Sequence, residues 1–199
     1  MKDLLIIRDP KVAKIIACDT RWKMLMILRY QAMTPSQLSV YLGKTVSSVM
    51  HHLKVLEDRG LVELVKKEVK GNVIEKWYKA TAKKYIISYE LSEGRIPGSE
   101  ETVKFTEDMA RKAVKALSAF GFNINNNEEL VELFRKFISL RSAALEKIAN
   151  MQKRKINADY GSYWLLLTVL TYLVLSEDDE FKNILNRIKE YLGDFDESH

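Results

Sequence analysis

Residues 42–61 read LGKTVSSVMHHLKVLEDRGL, a pattern that predicts one short amphipathic helix punctuated at both ends. Thr45 stands where an N-cap hydroxyl accepts from the free amides of the first turn. Gly60 stands where a helix stops on a left-handed residue. Val49, Leu53 and Leu56 recur at intervals of four and three and so share one face. The opposite face carries Ser47, Met50, His51 and Lys54, small and hydrogen-bonding at its N-terminal end and cationic beyond. A helix of that character suits a DNA major groove entered N-terminus first.

The flanks extend this helix into a motif. Thr34-Pro35-Ser36 opens a shorter predicted helix, Pro35 to Leu42, with Leu38 and Leu42 on one face and Gly43 at its end. Pro35 fits the first turn, where its missing N–H does no harm. Two short helices joined at Gly43–Lys44 make a helix-turn-helix. Beyond Gly60 come LVELVKKEVK, the turn pair Gly71-Asn72 and VIEKWYKA, two runs rich in β-branched and aromatic residues that predict a hairpin. A helix-turn-helix followed by a hairpin is a winged helix.

Residues 10–90 resemble a winged-helix domain of the ArsR type, in a form common among archaeal regulators. The resemblance is carried by DPKVAKIIACDTRWKMLMIL, LSVYLGKTVSSVMHHLKVLEDRGLV and KWYKATAKKY, most closely at His51–Val62. It implies that Val46, Ser47, Met50 and His51 hold the positions directed at base edges. It also implies a homodimer formed through the helices flanking the winged-helix core, here Pro10–Ala17 and Ala82–Glu90, extended by C-terminal helices. Many ArsR proteins sense metals through a cysteine pair on the helix before the recognition helix. That helix here reads PSQLSVYL and has no cysteine, so the resemblance carries no metal site with it.

Composition fits this reading. With 199 residues, 47% of them hydrophobic, the chain has ample material for a core. Its one cysteine, Cys18, excludes an internal disulfide, fits a reducing cytoplasm and is expected to be a small buried hydrophobe. Leu4–Ile7 is too short an apolar run for a signal peptide. Residues 1–90 hold 17 lysines and arginines against 9 acids, whereas residues 91–199 hold 15 against 18. The basic half contains the helix-turn-helix, so attraction to phosphates belongs there.

Along the rest of the chain, Leu4–Ile7 is expected to be a strand or an extended arm. Asp9-Pro10 starts a helix, and Asp19-Thr20 caps a second, Arg21 to about Gln31, whose Met24, Leu25, Ile27 and Leu28 pack under the recognition helix. Arg21, Lys23 and Arg29 point elsewhere, toward phosphate in some cases. Trp77 and Tyr78 fall on opposite faces of a strand. Thr81 is expected to cap a helix to about Glu90, and residues 91–99, LSEGRIPGS, to form a linker. Ser99 then caps a long helix with a buried stripe of Val103, Met109, Ala110, Ala113, Val114, Leu117 and Phe120. The turn Asn123–Asn127 leads to a helix with Leu130, Phe134, Phe137, Arg141, Ala144 and Ile148 at coiled-coil spacing. A basic knot, Lys153-Arg154-Lys155, follows. Ser176 caps a final helix. The expected fold is mainly α with a small β-hairpin wing: a winged helix-turn-helix DNA-binding domain over 1–92 and an all-helical dimerisation region over 93–199.

Lys44, Thr45, Val46, Ser47, Met50, His51 and Lys54 are the candidate DNA-binding residues of the helix, joined by Lys67 and Lys70 of the wing. Lys44 and Lys54 suit phosphate, Ser47 a base edge and Met50 a thymine methyl. The competing reading of the wing is that a lysine-rich hairpin edge merely discourages strand aggregation. His51 and His52 point roughly 100° apart on a helix and do not converge on a metal ion. No phosphate loop, nucleophile elbow or metal-hydrolase spacing is present, so no enzyme and no cofactor are expected. Trp164–Leu175, WLLLTVLTYLVL, spans roughly 18 Å as a helix against a bilayer core of about 30 Å, so no membrane partner is expected. It reads as a buried central helix or a dimer seam, or else as the wall of a small-molecule site with Tyr160, Tyr163, Trp164 and Tyr172. The function read from the sequence is a cytoplasmic, sequence-specific transcription regulator that binds double-stranded DNA as a homodimer on a pseudo-palindrome. A ligand in the helical region is an optional effector. The alternative is a non-specific architectural or adaptor protein with a cationic winged helix.

Overall fold

The computed structural model describes residues 1–71, 73–122, 124, 127–154 and 157–193, and for Lys70 and Val73 the backbone alone. Asn72 of the expected turn, most of the Asn123–Asn127 turn and Lys155 of the basic knot lie outside the described residues. The chain divides into two compact units, Met1–Ile86 and Ile87–His199.

In the first unit, β1 (Leu5–Ile7) leads to α1 (Pro10–Ile16) and α2 (Asp19–Leu28). Asp9 caps α1 by accepting from the Lys11 amide at 2.8 Å. The expected cap on α2 is displaced: Cys18 holds the N-cap position without a side-chain bond, and Asp19 sits in the first turn, paired with Lys23 at 2.8 Å. Cys18 is half-buried rather than buried. Then follow α3 (Pro35–Leu42), α4 (Val46–Glu57), β2 (Val62–Lys70) and β3 (Val73–Ala80). Met24, Leu25 and Leu28 of α2, Leu38 of α3, and Val49, Leu53 and Leu56 of α4 are fully or almost fully buried. Their meeting is the core of the unit, and each leucine buried there contributes about 1.5–3 kcal/mol.

The hairpin joins this core through Tyr78, which is buried and bridges to Met33 with N–H···O bonds of 2.9 and 3.0 Å. Trp77, on the opposite face, is half-exposed with the Lys66 ammonium 5.6 Å from its ring centre.

The helix expected from Thr81 to Glu90 is absent. Instead Tyr85–Ile87 is a strand, β4, hydrogen-bonded to β1, and the helix α5 covers only Tyr89–Ser92. The run Tyr85-Ile86-Ile87 has strand propensity, and the N-terminal arm supplies the partner that satisfies its backbone. Thr81 is not a cap. Its hydroxyl donates to the Gly60 carbonyl at 2.7 Å and approaches the Leu61 carbonyl at 3.1 Å, while the Tyr85 hydroxyl donates to Leu61 O at 2.9 Å. These bonds tie the end of the hairpin to the turn after α4.

The second unit contains α5, α6 (Glu100–Ala116), a 3-10 turn (Leu117–Phe120), α7 (Glu128–Met151), α8 (Tyr160–Ser176) and α9 (Asp179–Leu192). Leu91 and Ser92 are buried, and Arg135 of α7 bonds to Glu93 just beyond them, so part of the expected linker is packed structure. Ser99 does not cap α6 through its side chain, since its hydroxyl donates to Ile96 O at 2.6 Å. The buried face of α6 is Thr102, Thr106, Ala110 and Val114, while Met109 and Phe120 are exposed. Small side chains four residues apart let α6 approach α7 closely. The Thr106 hydroxyl bonds back to Val103 O at 2.8 Å, which removes the penalty for burying it. The cap of α9 is Asp178, accepting from the Phe181 amide at 2.9 Å, and Ser176 closes α8 instead.

The run Trp164–Leu175 is not a buried central helix of this chain. Tyr163, Leu167, Thr171 and Leu175 face inward, but Leu165, Leu166, Val169, Tyr172 and Leu173 are 43–65% exposed. Among the described residues no helix is long and apolar enough to cross a membrane.

Candidate nucleic-acid interface

The helix α4 is presented by short-range bonds that its own sequence supplies. Thr34 and Gln37 form a reciprocal capping box at the start of α3, with bonds of 2.9 and 3.2 Å. Gly43 ends α3 at φ +62°, a conformation that costs a side-chain-bearing residue about 1 kcal/mol. Thr45 then caps α4, its hydroxyl accepting from the Ser48 amide at 3.2 Å. With the underside of α4 fixed by Val49, Leu53 and Leu56, the remaining side chains have one direction left. Lys44, Thr45, Val46, Ser47, Met50, His51 and Lys54 are all exposed. They line the N-terminal turns and one outer edge of a helix whose free amides also favour an anion.

His52 is different. It is half-buried, its ring 5.7 Å from that of His51 at 64°. Burial first, then the positive charges of Arg21, His51 and Lys44, hold its pKa below the usual 6.5. It stays neutral at neutral pH, and His51 is the histidine offered outward. Among the described residues no group of three or more His, Cys, Asp or Glu side chains is placed to hold a metal.

Arg21, Lys23 and Arg29 are engaged within the protein. Arg21 Nε donates to Ile15 O at 2.5 Å, Lys23 meets Asp19, and the Arg29 guanidinium lies over the Tyr30 ring at 4.6 Å.

The wing has two chemically different faces, and a β-bulge decides which residue belongs to which. The register shifts between Leu64 and Lys66, so the face that carries Val62 and Leu64 continues beyond the bulge through Lys67 and Val69. Opposite them stand Lys76 and Ile74. This face has two exposed lysines directly across from one another and an exposed apolar pair, Val69 and Ile74, with no acid. The other face carries Lys66, paired with Glu68 at 3.0 Å, together with Glu75 and Trp77. Like charges directly opposite on a hairpin are destabilising, and an anion brought to Lys67 and Lys76 relieves that repulsion. Lys76 was not among the residues singled out from the sequence; the signal that finds it is the register. The side chain of Lys70 lies outside the described residues.

The four aromatic residues considered as ligand contacts are not all brought together. Trp164 and Tyr172 line a cleft on α8 with Arg141 of α7. Tyr163 is buried and hydrogen-bonded to Gln152 at 3.2 Å, and Tyr160 is half-buried at the helix start.

The segment that forms this helix-turn-helix is similar to a known family. Residues 18–63 match the model of the arsR family of bacterial regulatory proteins. The match runs from the start of α2 to the first residues of the wing and contains every candidate on α4. Among solved structures, Bacillus subtilis PadR in complex with operator DNA aligns at 14% identity over 88% of this chain and 99% of that one, with a TM-score of 0.30. No curated protein matches the chain.

Proposed function

We propose that this protein is a sequence-specific DNA-binding transcription regulator that acts as a homodimer on a pseudo-palindromic duplex in the cytoplasm. The arsR-family segment supports the coarser statement of a DNA-binding regulator. The observation that carries the finer reading is the free edge of α4. A capped helix with a fully buried underside holds Val46, Ser47, Met50 and His51 clear of the fold. In this reading Val46, Ser47, Met50 and His51 face base edges, with Met50 on a thymine methyl, and Lys44, Lys54 and Lys67 bind phosphate, with Lys76 added by the wing register. Lys70 stays with the phosphate group on sequence grounds alone.

One recognition helix reads only a few base pairs, so useful selectivity calls for two copies about 34–36 Å apart or a multiple of that. Of the two helices implied as dimer elements, Pro10–Ala17 is helical through Ile16 and Ala82–Glu90 is not formed. The exposed apolar row of α8 supports that helix as the seam, because five large apolar side chains on one face are more than a monomer ordinarily leaves in water.

The test is selection of bound duplexes from a random pool, followed by competition of the enriched sequence against unselected DNA. Enrichment of a two-fold symmetric sequence that binds at least about 1,000-fold more tightly than random duplex is the expected result. A ratio near one overturns specificity and favours a general packaging or adaptor role.

A further inference from the structure

Between α7 and α8 lies a cleft of about 160 Å³ lined by Arg141, Leu145, Trp164, Thr168, Thr171 and Tyr172. Two of its walls carry hydrogen-bond donors with no acceptor among the described residues. Arg141 Nε is buried and has no partner among them, and neither has the hydroxyl of Thr171, a residue only 1% exposed. Thr168 is not available in the same way, because its hydroxyl donates to Trp164 O at 2.9 Å. Among the described residues Arg141 makes no ion pair, and no acid lines the cleft. The large majority of buried side-chain polar atoms have a partner, and an orphan beside a cavity points to one. A guanidinium left without an anion next to such an orphan marks a missing acceptor of negative charge.

The rest of the cleft states what is attached to that charge. Leu145 is buried and apolar, and the rings of Trp164 and Tyr172 are walls, the second open to solvent at the rim. A space near 150 Å³ accommodates a body of about the size of benzene. One cation and one neutral hydroxyl suit a single negative charge. A phosphate dianion calls for more cations than the cleft provides.

We propose that this cleft binds a small monocarboxylate with a compact apolar body, its carboxylate accepting from Arg141 and Thr171 and its body against Leu145 and Trp164. Its role as the effector of DNA binding rests on the regulator reading above; its existence as a site does not.

The test uses the whole chain without DNA, titrated calorimetrically with isovalerate and benzoate, with their neutral amides and with inorganic phosphate. At least one carboxylate is expected to bind with a Kd of about 1 mM or tighter. Its amide should bind at least about tenfold more weakly because it lacks the charge, and phosphate because it has no apolar body to set against Leu145 and Trp164. Arg141→Met, which keeps an unbranched apolar stem but removes the guanidinium, should lose binding. Thr171→Val, an isostere that folds in the same space, should lose several-fold, so the result does not hang on one variant. Equal binding of acid and amide, no binding of either acid, or unchanged binding in both variants overturns the site. A carboxylate-independent change of molecular mass in Arg141→Met also overturns it, because Arg141 then meets a second copy of the chain instead. The enriched duplex is titrated last, with and without the bound carboxylate. Altered affinity supports the effector role, and unaltered affinity overturns that role while the calorimetric result still supports the site.

Discussion

Arg135 Nη1 donates to Glu93 Oε1 at 2.8 Å, with the two side chains only 13% and 19% exposed. The same guanidinium holds Glu132 through two bonds of 2.7 Å, so one arginine fastens the end of α5 to α7. Arg135→Met leaves the Glu93 carboxylate poorly solvated and unpaired, and should destabilise the helical unit by about 3 kcal/mol. A lower urea midpoint at unchanged slope is the result that checks it. The Glu132 carboxyl is held below its usual 4.5, chiefly by the hydrogen bond from Arg135. Its contribution is therefore present above pH 4.5 and lost as pH falls through the folded-state value. It is discounted because Glu132 is about half exposed, and it should vanish in the methionine variant.

The depressed pKa of His52 has the opposite chemical origin and a parallel consequence. The unfolded chain binds a proton near pH 6.5, while the folded unit resists it through burial and the nearby cations. Stability of the winged-helix unit should decline as pH drops below 6.5 and level off once the folded histidine is also protonated. His52→Gln should flatten that part of the profile. A proton titration of the His52 ring that gives a value at or above 6.5 would contradict it.

The wing register separates stability from binding at one pair of residues. Lys76→Ala should raise hairpin stability by a few tenths of a kcal/mol, by removing the repulsion of Lys67. It should also weaken all duplexes alike and reduce the slope of log affinity against log salt by about one. Ser47→Ala should leave that slope alone and change the ranking of duplexes. Salt titrations of both variants on selected and random DNA provide the check, and similar behaviour of the two would refute the division of roles.

The exposed row on α8 makes the dimer prediction specific. Leu165→Glu combined with Leu173→Glu should leave the fold intact, because both side chains are more than half exposed. It should also convert the protein to a monomer by sedimentation and weaken binding to a symmetric duplex by at least about tenfold through loss of the second half-site. A dimer that survives this double substitution places the seam elsewhere.

Much of the candidate interface was legible in advance because its determinants are local. Thr34 and Gln37, Gly43, and Thr45 with Ser48 each act across three residues or fewer, and the stripe of Val49, Leu53 and Leu56 repeats within one helix. The segment Tyr85–Ile87 was misread because its strand needs residues some eighty positions away. The face of α6 was misread because hydrophobicity does not register a threonine that satisfies its own hydroxyl.

Local chemistry in the chain was therefore enough to establish the helix-turn-helix, its caps, the exposed edge of α4 and the segregation of charge. Three things waited on the packed structure. The bulge after Leu64 exchanges the two faces of the wing and brings Lys76 opposite Lys67. The packing of α8 leaves half of an apolar helix in solvent. The approach of α7 to α8 puts Arg141 and Thr171 on the walls of one cleft, each with a donor that has no acceptor among the described residues. Each depends on which partner a strand or helix finds at long range, and a pattern with a period of two or of 3.6 residues carries no information about that partner.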